Sequence, residues 1–217
     1  MNVDLTLSNN LYKKNLQSYL KISEDNIKLI EDQNKNFIER LNDANSNNPD
    51  WLDESAHLNN ITWLYLNAMY ITLYSSFEHF LLKVARKIES GPGRKIQLKH
   101  IGGTATLDKY INYIHLVGDL DSADRSKSPW DKVMQFKAVR NLLVHNGGIM
   151  QETTDTPLEK HTNFLFLKNH DVIIAGSFGL IRIRNLKLLK SFSDITTKIS
   201  DNIITEFKAK YFDEVKS

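Results

Sequence analysis

The amino-acid sequence predicts a mainly α protein: a helical bundle with a small β appendage just before its C-terminal helix. Three observations carry this. Apolar residues recur at three- and four-residue steps over long stretches, and polar loops holding Gly, Pro or Asn separate them. One region, roughly residues 163–183, instead alternates short apolar runs with turn residues. No internal repeat and no domain-sized linker interrupts the chain, so residues 1–217 read as a single helical domain with its core over roughly 54–211.

The first helix is expected over Leu11–Leu41, where Leu16, Leu20, Ile27, Ile30, Phe37 and Leu41 mark one face. The run Asn42–Asp53 is rich in Asn, Asp and Ser and holds Pro49, a loop composition. The second helix, Glu54–Glu89, has the broadest stripe: Leu58, Ile61, Leu64, Tyr65, Ala68, Met69 and Leu73, then Phe77, Phe80, Leu81, Val84 and Ile88. A stripe wide enough for two neighbours belongs to the central helix of a bundle. Gly91-Pro92-Gly93 ends it.

A shorter helix is expected after Thr104, using Leu107, Ile111, Ile114 and Leu116, with a polar loop over Asp119–Pro129. Ser128 and Pro129 then open a helix reaching His145, whose buried face is Val133, Phe136, Val139, Leu142 and Leu143. Asn146-Gly147-Gly148 supplies residues that tolerate the left-handed conformation used to stop a helix. Short strands are expected at Asn163–Leu167, Val172–Ala175 and Leu180–Ile183, with turns at Asn169-His170-Asp171 and Gly176-Ser177. The last helix, Leu186–Tyr211, packs through Leu189, Phe192, Ile195, Ile199, Ile203 and Phe207.

Composition narrows the function classes. The chain has no cysteine, which excludes disulfides, thiolate metal sites and a cysteine nucleophile and suits a reducing cytoplasm. Met1–Asn10 lacks the basic region followed by an apolar core that marks a secretory signal, and no apolar run approaches membrane-spanning length. A cytoplasmic protein without membrane association is expected. The formal net charge is only +2, so any nucleic-acid contact must be short, or made in a cleft that concentrates charge.

The chemistry-bearing segment is Val139-Arg140-Asn141-Leu142-Leu143-Val144-His145-Asn146-Gly147-Gly148. RNA is cut without metal when its 2′-hydroxyl attacks the adjacent phosphate. That reaction needs a proton acceptor, a proton donor to the leaving 5′-oxygen, and positive charge beside the phosphorane. A histidine such as His145 suits the proton transfers, because the imidazole ordinarily titrates near neutrality. Arg140 offers a permanently charged planar fork that matches phosphate oxygens. Asn141 can orient the imidazole or hold a phosphate oxygen. Five residues along a helix turn the side chain by about 500°, leaving Arg140 and His145 about 140° apart and about 7.5 Å along the axis. One straight helix is therefore expected to converge them poorly.

An Arg, a polar residue, a short apolar spacer and a His near a helix end resemble the signature of the HEPN superfamily (higher eukaryotes and prokaryotes nucleotide-binding). The upstream run Tyr74-Ser75-Ser76-Phe77-Glu78-His79-Phe80-Leu81 is similar to an acidic-aromatic stretch in several of its subfamilies. The trailing Asn-Gly-Gly, the short strands and the terminal helix resemble members from microbial defence loci. The resemblance spans roughly Glu54–Tyr211. It implies a homodimer whose paired helices bring two Arg140 and two His145 into one RNA-cleaving cleft, with Asn141 and Glu78 in support. It implies no cofactor and no metal, and a toxin or antiviral effector whose partner is an antitoxin or another defence-system protein. In members modified by nucleotidyltransferase antitoxins a Tyr follows the His after three residues. Here that position is Ile149, which argues against such modification.

Bland alternatives stand beside these. An Arg and a His near a helix end commonly serve the helix dipole and the last carbonyls. Glu78 either orients Arg140 or His145 or sits on an exposed edge near Lys83 and Arg86. His79 reads as a partly buried histidine, and Tyr65, Tyr70 and Tyr74 as bundle packing. His100/His115 and His161/His170 lack metal-ligand spacing, Gly102-Gly103 is a loop, and Arg182 and Arg184 are charged strand ends. Two other functions remain: a non-catalytic HEPN module that binds RNA, nucleotide or a partner protein, and a dimerisation scaffold with a structural Arg and His.

Overall fold

The computed structural model describes residues 4–43, 50–102 and 106–212. It is mainly α with a small β appendage, as the sequence predicts. The elements are α1 (Leu5–Asp43), α2 (Asp50–Glu89), α3 (Thr106–Asn112), α4 (Trp130–His145), α5 (Phe164–Asn169), the antiparallel strands β1 (Ile173–Ala175) and β2 (Leu180–Arg182), and α6 (Lys187–Phe212). α1 begins at Leu5 rather than Leu11 because Asp4 caps it: the Asp4 carboxylate accepts the Thr6 N–H at 2.8 Å. α2 begins at Asp50, so the expected loop ends before Asp53. Pro49 and the rest of 44–49 lie outside the described residues, as do Gly103 and Thr104. No helix among the described residues is long and apolar enough to cross a membrane.

One strand expectation fails. Asn163–Leu167 is not extended but enters α5, where the Leu167 N–H bonds the Asn163 carbonyl at 3.0 Å. A five-residue apolar run has no period long enough to separate strand from helix. The local polar groups decide, with the His170 ring Nδ1 donating to the Phe166 carbonyl at 2.8 Å and the His161 ring Nδ1 accepting the Asn163 N–H at 3.2 Å.

The chain packs as two compact units. The first comprises Met1–Gln17, Leu73–Lys137 and Ser191–Ser217. Its centre is aromatic: Phe192 of α6 meets Phe136 of α4 edge-on at 5.2 Å and Phe77 of α2 at 6.1 Å, and Tyr12 of α1 stacks on Phe80 at 5.1 Å. Such rings combine large buried area with a preferred geometry that fixes helix rotation. The buried polar side chains of α6 lie on this stripe. Thr196 accepts a 2.7 Å bond from the Tyr12 hydroxyl and donates its own proton to the Phe192 carbonyl at 2.9 Å. Burial pushes the Tyr12 phenol far above its ordinary value, so it stays a neutral donor.

The end of α6 clamps the turn after α3. Glu206 accepts the N–H groups of Asp121 and Ser122 at 2.6 and 2.8 Å, Tyr211 donates to the Gly118 carbonyl at 2.7 Å, and Lys210 pairs with the Asp119 carboxylate.

The second unit comprises Ser18–Thr72 and Ala138–Lys190. Within it Asn26 of α1 donates to the Tyr65 hydroxyl of α2 at 3.1 Å, Lys190 pairs with Glu24 at 2.8 Å, and Arg40 pairs with Glu54. Leu64, expected on the buried stripe of α2, is exposed, whereas Leu66 and Tyr70 are wholly buried. Two residues along a helix are about 200° apart, so Leu64 stands on the side of α2 opposite the buried face that Leu66, Tyr70 and Phe77 share.

Two outcomes follow from the first unit. Tyr12→Phe is expected to cost about 0.5–1.5 kcal/mol in urea unfolding, because it removes one buried hydrogen bond while Thr196 keeps its own acceptor. Unchanged stability would show that the bond contributes nothing. Lys210 holds the Asp119 carboxyl below its ordinary range, and Asp119 in turn raises the Lys210 ammonium. The carboxylate contribution is present above the ordinary Asp value near 4 and is lost as pH falls through the lower folded value. The ammonium contribution is present below the ordinary Lys value and is lost as pH rises through the higher folded one. Asp119→Asn, which keeps a side chain tolerant of the φ of +52° found there, should therefore be less stable than wild type at pH 7. The difference should fade as pH falls through the lowered Asp119 value and shrink in high salt.

Candidate functional site

Arg140, Asn141 and His145 occupy the last two turns of α4. Val139 and Leu142 are buried, which leaves Arg140 and Asn141 half-buried at the margin of that face and His145 exposed at the helix end. Arg140 Nη1 stands 3.3 Å from His145 Nε2 and donates to Asn141 Oδ1 at 3.2 Å. The expected poor convergence is therefore corrected. Helical geometry separates the two Cβ directions by about 140°, but the charge of arginine sits at the tip of a long flexible side chain that spans the gap.

Guanidinium is a donor only, and each of its terminal nitrogens carries two hydrogens. One hydrogen of Nη1 serves Asn141, and the other meets His145 only if Nε2 carries no proton. The contact thus belongs to a neutral imidazole with its hydrogen on Nδ1. Asn141 Oδ1 accepts from the guanidinium. Glu78 stands half-buried on α2 in the first unit, between the core residues Phe77 and Phe80. His79 is exposed rather than partly buried.

The termination of α4 follows the Asn-Gly-Gly reading and adds to it. Gly147 and Gly148 take φ of +59° and +81°, and the Gly148 N–H turns back to the Leu142 carbonyl at 2.9 Å. The chain then joins the sheet. The Ile181 N–H of β2 donates to the Gly148 carbonyl at 2.8 Å, Ile149 forms a bridge with Leu180, and the Met150 N–H reaches the Phe178 carbonyl at 3.2 Å. β2 is therefore the middle of a three-stranded arrangement whose third member is the tail of the motif. Ile149 is a pairing position here, through its bridge to Leu180.

Sequence reasoning missed a stripe on α2. Asn59, Trp63 and Asn67, at four-residue steps, meet the chain of β2 and the residues just after it. Arg184 Nη2 donates to the Asn59 carbonyl at 3.3 Å, the Arg182 guanidinium lies 5.4 Å over the Trp63 ring, and Asn67 bonds the backbone of Ile181 and Ile183. The signal was Trp63 and Asn67 on one helix face; the Asn59 contact is made by the main-chain carbonyl, which no side chain announces. Arg182 and Arg184 are thus packing residues of the strand and its end. Tyr70 and Tyr74 are buried, in line with bundle packing. His100 and His115 bond local backbone, as His161 and His170 do. Among the described residues no three His, Asp or Glu gather as a metal site.

No family model, no curated protein and no solved structure matches the chain.

The exposed Gly147 tests the helix stop. Gly147→Ala should cost about 1 kcal/mol, because Cβ is disfavoured at positive φ. Nothing lies within 4 Å of an added Cβ there, so the cost is conformational. Gly147→Asn should recover most of it. Equal thermal midpoints for the two variants would rule out that origin.

Proposed function

We propose that this protein is a metal-independent endoribonuclease of HEPN type that acts as a toxin or antiviral effector, with a site shared between two copies of the chain. The observation that carries the reading is the Arg140–His145 contact at 3.3 Å on an exposed helix end, with Asn141 holding the guanidinium. An open position suits a polymer whose phosphodiesters slide past, whereas small ligands are usually enclosed.

In the reaction, the RNA 2′-hydroxyl gives its proton to Nε2 of one imidazole and its oxygen bonds to phosphorus. The P–O5′ bond breaks, and the leaving oxygen takes a proton from the imidazolium of the second copy. The products are a 2′,3′-cyclic phosphate and a 5′-hydroxyl. Arg140 turns from Nε2 to the phosphate, where its charge meets the growing charge of the phosphorane. One imidazole per chain supplies one proton-transfer group. The need for both an acid and a base, rather than any failure of Arg140 to reach His145, motivates the dimer.

A second reading is a non-catalytic module that binds RNA, nucleotide or a partner protein. It is favoured by the same contact, since Arg140 covers the nitrogen that must accept the proton.

Wild-type protein should cut RNA in EDTA and leave cyclic phosphate ends. His145→Ala should lower the rate by about 10²–10⁴-fold and Arg140→Ala by about 10²–10³-fold, with unchanged helical content and a dimer by light scattering. Cleavage only with added metal, or full activity in both variants, would sink the nuclease mechanism. RNA binding without cleavage would establish the second reading.

A further inference from the structure

We propose that Asn67 is the positioning residue of the Arg140–His145 site. Its carboxamide stands in for a neighbouring strand, holds β2 on α2, and through β2 fixes the backbone that presents His145. The activity part of this inference rests on the nuclease reading; the structural part rests on hydrogen bonds alone.

The edge of β2 opposite β1 has three outward backbone groups to satisfy. The Ile181 N–H goes to the Gly148 carbonyl at 2.8 Å. The Ile181 carbonyl accepts from Asn67 Nδ2 at 3.0 Å, and the Ile183 N–H donates to Asn67 Oδ1 at 3.2 Å. A carboxamide carries a donor and an acceptor spaced like those of a peptide group. Bonding the carbonyl of one residue and the N–H two residues on is the pairing a parallel strand makes. Asn67 thus continues, from a helix, the ladder that Gly148 begins. An apolar residue of the same shape leaves both groups unpaired at a part-buried edge.

The grip extends along α2. The main-chain carbonyl of Asn59 and the side chains of Trp63 and Asn67 meet Arg184, Arg182 and the Ile181–Ile183 backbone in turn. β2 and the two residues after it are thus held to α2 at three heights. Gly148 lies three residues beyond His145 and is tied to β2 by its carbonyl and by the Ile149–Leu180 bridge. A displaced β2 therefore carries the end of α4 with it. Misplacing a reacting group by about 1 Å costs about 100-fold in rate.

The test compares Asn67→Asp and Asn67→Leu with wild type. Asp keeps the acceptor for the Ile183 N–H but turns a carboxylate oxygen towards the Ile181 carbonyl, and Leu removes both bonds. Both should lower kcat on RNA by about 10–100-fold with KM nearly unchanged, measured where urea titration shows each variant fully folded. In the RNA-free protein the His145 imidazole ¹H–¹⁵N signals should move in both variants. Ile183 amide exchange should accelerate in Asn67→Leu and stay slow in Asn67→Asp. Wild-type kcat together with unmoved His145 signals in folded variants would overturn the proposal. If wild type cuts no RNA, the nuclease reading fails, and the His145 signals and Ile183 exchange alone decide the positioning claim. Should Asn67→Leu fail to fold, Asn67→Asp decides it.

Discussion

The hydrogen bond from the Ile181 N–H to the Gly148 carbonyl, 2.8 Å long, is the constraint on which the candidate site depends. A helix end is the least fixed part of a helix, because its last carbonyls lack intrahelical partners and its last turn frays. Here α4 stops on two residues with positive φ and passes at once into a sheet pairing. The exposed His145 thus stands on a backbone held from both sides, by the buried Val139 and Leu142 before it and by β2 after it. A three-residue strand would be marginal with a single partner. β2 is sustained because it has three: β1, the tail of the motif, and Asn67.

Stability in the first unit comes from another source. Phe77, Phe136 and Phe192 interlock at the centre of that unit, so the rotation of each helix there is set by ring packing. One short chain of polar groups crosses this core: Tyr12 donates to Thr196 and Thr196 to the Phe192 carbonyl. The aromatic run from Tyr74 to Phe80, which suggested functional kinship, supplies core residues in Tyr74, Phe77 and Phe80.

The site illustrates how far helical arithmetic reaches. Residue spacing fixes where each Cβ points, and on that basis Arg140 and His145 diverge. Their functional atoms are 3.3 Å apart because arginine has several rotatable bonds between Cβ and charge. Where Nε2 accepts in this contact, the base form of the imidazole is covered by a guanidinium. Asn141 completes this group by accepting from the same Nη1. For RNA chemistry, a phosphate would have to draw the guanidinium away, which ties substrate binding to exposure of the base.

The sequence by itself determined the helices with long periodic stripes, their Gly and Pro stops, the turns around Asp171 and Gly176, and the placing of Arg140, Asn141 and His145 at one helix end. Those features are local: a period of 3.6 or a left-handed glycine acts within a few residues. Tertiary structure decided what depends on distant partners. It turned Leu64 outward, brought the tail of the motif into the sheet, and gave Asn67 its two backbone bonds. Asn67 and Ile181 are 114 residues apart. A polar residue on an apolar helix face announces that it needs partners, and only the fold brings the strand whose unpaired carbonyl and N–H supply them.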